Sequence, residues 1–118
     1  MKANIHTEST LHMLNASPFE HRVLFDRMIR LATPGDNLLL IENGVYAITN
    51  DYCLRTIYAL GMNLFCLEID SAARGLHNTT ALANNMPEIQ QHPTIELIND
   101  IDFVNLCSQH RKVVSWFP

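Results

Sequence analysis

The chain has 118 residues, 47% of them hydrophobic, and a formal charge of −4. That length supports one compact core burying roughly two-thirds of the unfolded surface, with no material for a second core. Eight basic residues stand against twelve acidic ones, and the basic residues form no patch for a phosphate backbone, so direct nucleic-acid binding is not expected.

Met1 to Thr10 is polar, and the longest aliphatic run is only Leu38 to Ile41. Both facts argue against a signal peptide or a membrane span, so a cytosolic chain is expected. Residues 1–9 carry little hydrophobic pattern and read as a loose extension. Residues 10–118 read as one domain. Thr10 to Asn15 is short and apolar, as in a strand. Ser17-Pro18-Phe19-Glu20 then places a serine, a proline and a glutamate at the spacing of a helix-capping box. Leu24, Met28, Leu31 and Ala32 recur at helical spacing until Thr33-Pro34-Gly35 breaks the pattern.

Asn37 to Glu42 is an unbroken apolar run bounded by polar residues, the signature of a strand covered on both faces in a parallel sheet. From Val45 to Leu60 a mixed helical spacing, interrupted at Asn50-Asp51, predicts two short helices. Asn63 to Ile69 is another strand candidate. Asp70 to Gly75 reads as a capped short helix stopped by glycine. Residues 77–94 lack periodicity and predict a long connection, with a helical turn at Ala81 to Asn84. Ile95 to Ile98 is a fourth strand. Asp100 or Asp102 is placed to cap a helix carrying Phe103, Val104, Leu106 and Cys107, and Val113 to Phe117 adds a last strand. Strands alternating with helices imply an α/β fold: a single-domain, open, mainly parallel sheet with helices on both faces. Ligands of such sheets gather at the carboxyl ends of the strands, here Asn15 to Pro18, Asn43 to Val45 and Glu68 to Ser71.

Chemistry at that edge would fall first to a thiol. Cys53, Cys66 and Cys107 are odd in number and match no zinc or CxxC spacing, so reduced thiols are expected rather than disulfides. Cys66 lies nearest the edge and is the candidate sulfur-accepting thiol, but its place inside the run Leu64 to Leu67 suits plain core packing. Cys53 and Cys107 have no cationic neighbour in sequence. The six histidines show no HxxxH or HExxH spacing, so no metal site is expected. Gly44 is a lone glycine rather than part of a phosphate loop; its expected task is to turn the chain, and no cofactor is called for. Asp70 and Arg74 are spaced to pair across one helical turn. Trp116-Phe117 is an aromatic pair suited either to the core or to anchoring a partner, and Phe103 joins Trp116 as a candidate interface residue.

Taken in order, Leu11-His12, Ser17-Pro18-Phe19, Pro34-Gly35-Asp36, Leu38 to Ile41, Gly44-Val45, Asp70, Ala73 to Leu76, Asp102 to Val104, Leu106, His110 and Trp116 resemble the TusB/DsrH family. The likeness runs from residue 10 onward. It implies a DsrE-like fold and a non-catalytic subunit of a sulfur-relay complex serving 2-thiolation of the tRNA wobble uridine. The implied partners are TusC-like and TusD-like subunits in a dimer of heterotrimers, with TusA-like and TusE-like carriers docking on the complex. The persulfide cysteine would then belong to the TusD-like subunit. Many DsrH members carry a cysteine on the first helix where this chain has Met28, and a thioether forms no persulfide. The alternative is a DsrH-like subunit or a direct persulfide carrier acting through Cys66.

Overall fold

The computed structural model describes residues 8–76 and 95–118. The expected connection over 77–94 and its helical turn lie outside them. Five strands form one sheet in the order β4-β3-β2-β1-β5, with every neighbouring pair parallel. They are β1 (Thr10–Leu14), β2 (Asn37–Leu40), β3 (Asn63–Leu67), β4 (Glu96–Ile98) and β5 (Lys112–Trp116). Between them come α1 (Arg22–Leu31), a 3-10 helix (Glu42–Thr49), α2 (Asp51–Leu60), α3 (Glu68–Ala73) and α4 (Asp100–Ser108). The open parallel α/β architecture expected from the strand and helix pattern is the one observed.

Alternation along the strands divides the core. Leu14, Leu38, Leu40, Leu64 and Cys66 face one side, where Phe25, Met28 and Ala32 of the α1 region, Val45 and Ile48 of the 3-10 helix, and Cys53, Leu54 and Ile57 of α2 cover them. Leu11, Leu39, Phe65, Leu67 and Ile98 face the other side, covered by Leu106 with Phe103 and Cys107 of α4. The chain steps outward from β1 to β4 and then returns to β5 beside β1. Crossovers of constant hand therefore put α1 and α2 on one face and α4 on the other. All four residues of β2 are buried, as a central strand requires.

Three local expectations need correction. Ser17 does not cap a helix: its Oγ accepts from Phe19 N–H at 3.2 Å, and its carbonyl accepts from Glu20 and His21 N–H in a tight turn. Helix α1 starts only at Arg22, and no side chain caps it. Helix α4 is capped by Asn99, whose Oδ1 accepts from Asp102 N–H at 2.9 Å; Asp100 and Asp102 stand in the first turn, where their charge complements the helix dipole. Gly44 does more than turn the chain, its N–H donating to the Ile41 carbonyl at 2.8 Å. A β-carbon there would overlap the Leu14 carbonyl oxygen, so glycine is needed for the close approach of two backbones.

Candidate functional site

The carboxyl ends of β1, β2 and β3 lie side by side, and the loops that leave them form the edge singled out from the sequence. At β1, the Leu14 carbonyl accepts from Ile41 N–H at 3.1 Å, which draws the start of the 3-10 helix against the Leu14–Asn15 peptide. Glu42 follows with φ 48°, a left-handed conformation that a glutamate adopts only when held. Its N–H donates to Asp70 Oδ2 at 2.6 Å, across the sheet edge to α3. Arg74 completes the clamp. Its Nε–H donates to Asn43 Oδ1 at 2.9 Å and its Nη1–H to the Asp70 carbonyl at 3.0 Å, while its distance to the Asp70 carboxylate is 3.9 Å. Asp70 and Arg74 thus meet as expected, but their tighter bonds tie α3 to the loop after β2.

No thiol faces this edge. Cys66 is fully buried on the α1 and α2 side of the sheet. Burial pushes its thiol up to about 12; hydrogen bonding with Ser71 opposes the rise and the Asp70 carboxylate adds to it. Ser71 itself is buried, and its hydroxyl donates to the Leu76 carbonyl at 2.5 Å. Cys53 is equally buried and its thiol is also pushed up to about 12 by burial, with Arg22 opposing and Asp26 adding. Cys107 is half-buried and burial raises its thiol as well. Since the thiolate is the nucleophile, this environment disfavours sulfur chemistry at all three positions.

The interface candidates occupy different places. Phe103 is half-buried against the core beneath α4. Beside it Ile101 and Val104 project outward, 71% and 67% exposed. From sequence Val104 falls on this helix but neither residue is singled out as a contact, although the apolar residues of α4 cover more than half of its circumference, wider than the stripe of an ordinary surface helix.

Trp116 is half-buried on the α1 side of the sheet. Its indole Nε1–H donates to His12 Nδ1 at 3.0 Å, and the two rings stack with centroids 6.2 Å apart. His12 Nε2 lies 3.0 Å from Asp36 Oδ2. Asp36 also accepts from Thr10 N–H and Thr33 N–H, each at 3.0 Å. Burial alone would raise its carboxyl, but those two N–H groups and His12 bring it below the usual aspartate range. On the opposite face the fully buried Asn37 bonds His110 Nε2 at 2.7 Å and accepts from Asn63 Nδ2 at 2.8 Å. His12, Asp36 and His110 entered the sequence reading only as residues of the family resemblance; the signal that they meet was a histidine between Leu11 and Met13 with Asp-Asn opening an apolar run.

The architecture defines the class, an open all-parallel α/β domain with its loops clamped at the carboxyl edge and its thiols withdrawn. The family model described as DsrH like protein matches residues 16–113. The chain therefore belongs to the DsrH-like family. It is 32% identical to Protein TusB of Escherichia coli (strain K12), and 31% identical to Protein TusB of Pectobacterium parmentieri and of Buchnera aphidicola subsp. Schizaphis graminum. Each match spans 107 residues, 90% of this chain and 99% of the relative.

Proposed function

We propose that this chain is a TusB-like, non-catalytic subunit of a cytoplasmic sulfur-relay complex that serves 2-thiolation of the tRNA wobble uridine. The observation that carries the reading is the state of its thiols: Cys53 and Cys66 are buried and held protonated, and Cys107 is shifted the same way. A protein that accepts sulfane sulfur needs an accessible, readily ionised thiol, so the accepting cysteine belongs to a TusD-like partner. Met28, fully buried under α1, offers no alternative thiol. The contribution of this chain is surface. TusC-like and TusD-like subunits pack against it, and TusA-like and TusE-like carriers reach the assembled complex. Phe103, flanked by the exposed Ile101 and Val104, and the half-buried Trp116 supply the contact.

Mass spectrometry tests this. The chain is treated with a desulfurase, cysteine and the upstream carrier, alone and together with its sister subunits. A sulfur adduct of about 32 Da on a partner, and never on this chain, is the expected result. The same adduct mapped to Cys66 would overturn the assignment and make this chain a persulfide carrier.

A further inference from the structure

The contact between Trp116 and His12 can exist in only one protonation state. An indole nitrogen donates and cannot accept, so His12 Nδ1 must carry no proton and must offer its lone pair to the Trp116 Nε1–H. The proton of the neutral imidazole then sits on Nε2, where Asp36 Oδ2 accepts it at 3.0 Å. Both rings are fixed by these bonds, and His12 is only 2% exposed.

We propose that Trp116, His12 and Asp36 form a proton-operated clasp on the edge strand β5, closed while His12 is neutral and opened when a solvent proton binds Nδ1. Uptake of that proton turns the acceptor into a second donor, so two N–H groups face each other across the former hydrogen bond. The imidazolium keeps its Nε2–H bond to Asp36, now as an ion pair. The indole, lacking any acceptor of its own, has nothing to exchange and must leave. Because, among the described residues, β5 pairs only with β1, Trp116 can swing out without unzipping a second described strand.

The surroundings single out His12 for this role. Among the described residues Asp36 is the titratable group bonded to it. Phe25 and Met28 of α1, with Ala32 just past its end, lie on the same face of the sheet, while Arg27 and Arg30 of α1 are exposed, as is Lys112 at the start of β5. The second buried histidine, His110, lies on the α4 side. Its Nδ1–H donates to the Leu106 carbonyl at 2.7 Å and its Nε2 accepts from Asn37. His110 thus contacts Asn37 and Leu106 on the far face of the sheet and does not touch the indole, so a proton taken up there does not act on the Trp116 contact.

The test uses the full chain labelled with nitrogen-15 and titrated from about pH 8 to about pH 5, the range in which histidine changes charge. The sequence has a single tryptophan, so its indole N–H is one resonance. The expected result is the Nε2–H tautomer for His12 at the alkaline end, with an indole signal that shifts in step with His12 and whose protection from exchange, relative to the intrinsic rate at each pH, falls at least about tenfold once His12 is charged. An Nδ1–H tautomer for His12, or an indole signal that ignores its titration, overturns the proposal. His12→Asn removes the pH response of the indole while His110→Asn keeps it. If either variant fails to fold, the tautomer and titration of the unmodified protein decide.

Discussion

At the scale of single residues, burial governs what each polar group can do. With burial holding their thiols near 12, Cys53 and Cys66 are ionised in only about one molecule in a hundred thousand at neutral pH. Alkylation of the native protein should therefore label Cys107 first, and Cys53 and Cys66 should react only at the rate of unfolding; timed labelling followed by peptide mapping reads this directly. Asp36 shows the opposite shift. Its carboxyl is depressed in the folded state, so its stabilising effect is present above the ordinary aspartate value and is lost as pH falls through the lower folded one. Denaturation curves should show stability falling below about pH 4, and Asp36→Asn should be less stable at neutral pH with a flatter dependence in that window. Gly44 is constrained by backbone alone. Gly44→Ala forces the 3-10 helix away from Leu14 and should cost about 3 kcal/mol in chemical denaturation.

At the scale of elements, α2 and α4 both start on an asparagine cap. Asn50 caps α2 by accepting from Cys53 N–H at 3.1 Å, and Gly61, with φ 82°, ends it by donating to the Ile57 and Tyr58 carbonyls. Asn99 caps α4, so Asn99→Ala should lower stability by about 1 kcal/mol while leaving the fold unchanged by circular dichroism. The outward residues of α4 obey another logic. Ile101 and Val104 contribute little to the isolated chain because both remain in water. The double change Ile101→Asp with Val104→Asp should leave the melting temperature nearly unaltered and abolish co-purification with the TusC-like and TusD-like subunits. Retained co-purification would remove α4 from the interface.

At the scale of the whole molecule, the elements were legible in sequence because their signals are local. The short apolar strands, the run Leu38 to Ile41 buried on both faces, and the break at Thr33-Pro34-Gly35 all report on neighbours a few residues away, and each fell within two residues of the observed boundary. The turn at Ser17, the cap at Asn99 and the function of Gly44 were misread because several local solutions fit the same residues, and a distant contact selects among them. For Gly44 that contact is the Leu14 carbonyl; for Glu42 it is the carboxylate of Asp70.

Composition and periodicity thus determined a single parallel α/β domain, and the ordered set of residues from Leu11 to Trp116 pointed to its family. Only the tertiary structure decided that Cys66 turns into the core, that α4 leaves two large aliphatic side chains in water, and that Trp116 meets His12 across 104 residues of chain. The physical reason is the same in each case. Which way a side chain points follows from the residue's own strand or helix, but what it meets there depends on strand order, and strand order is set by packing that no short window of sequence contains.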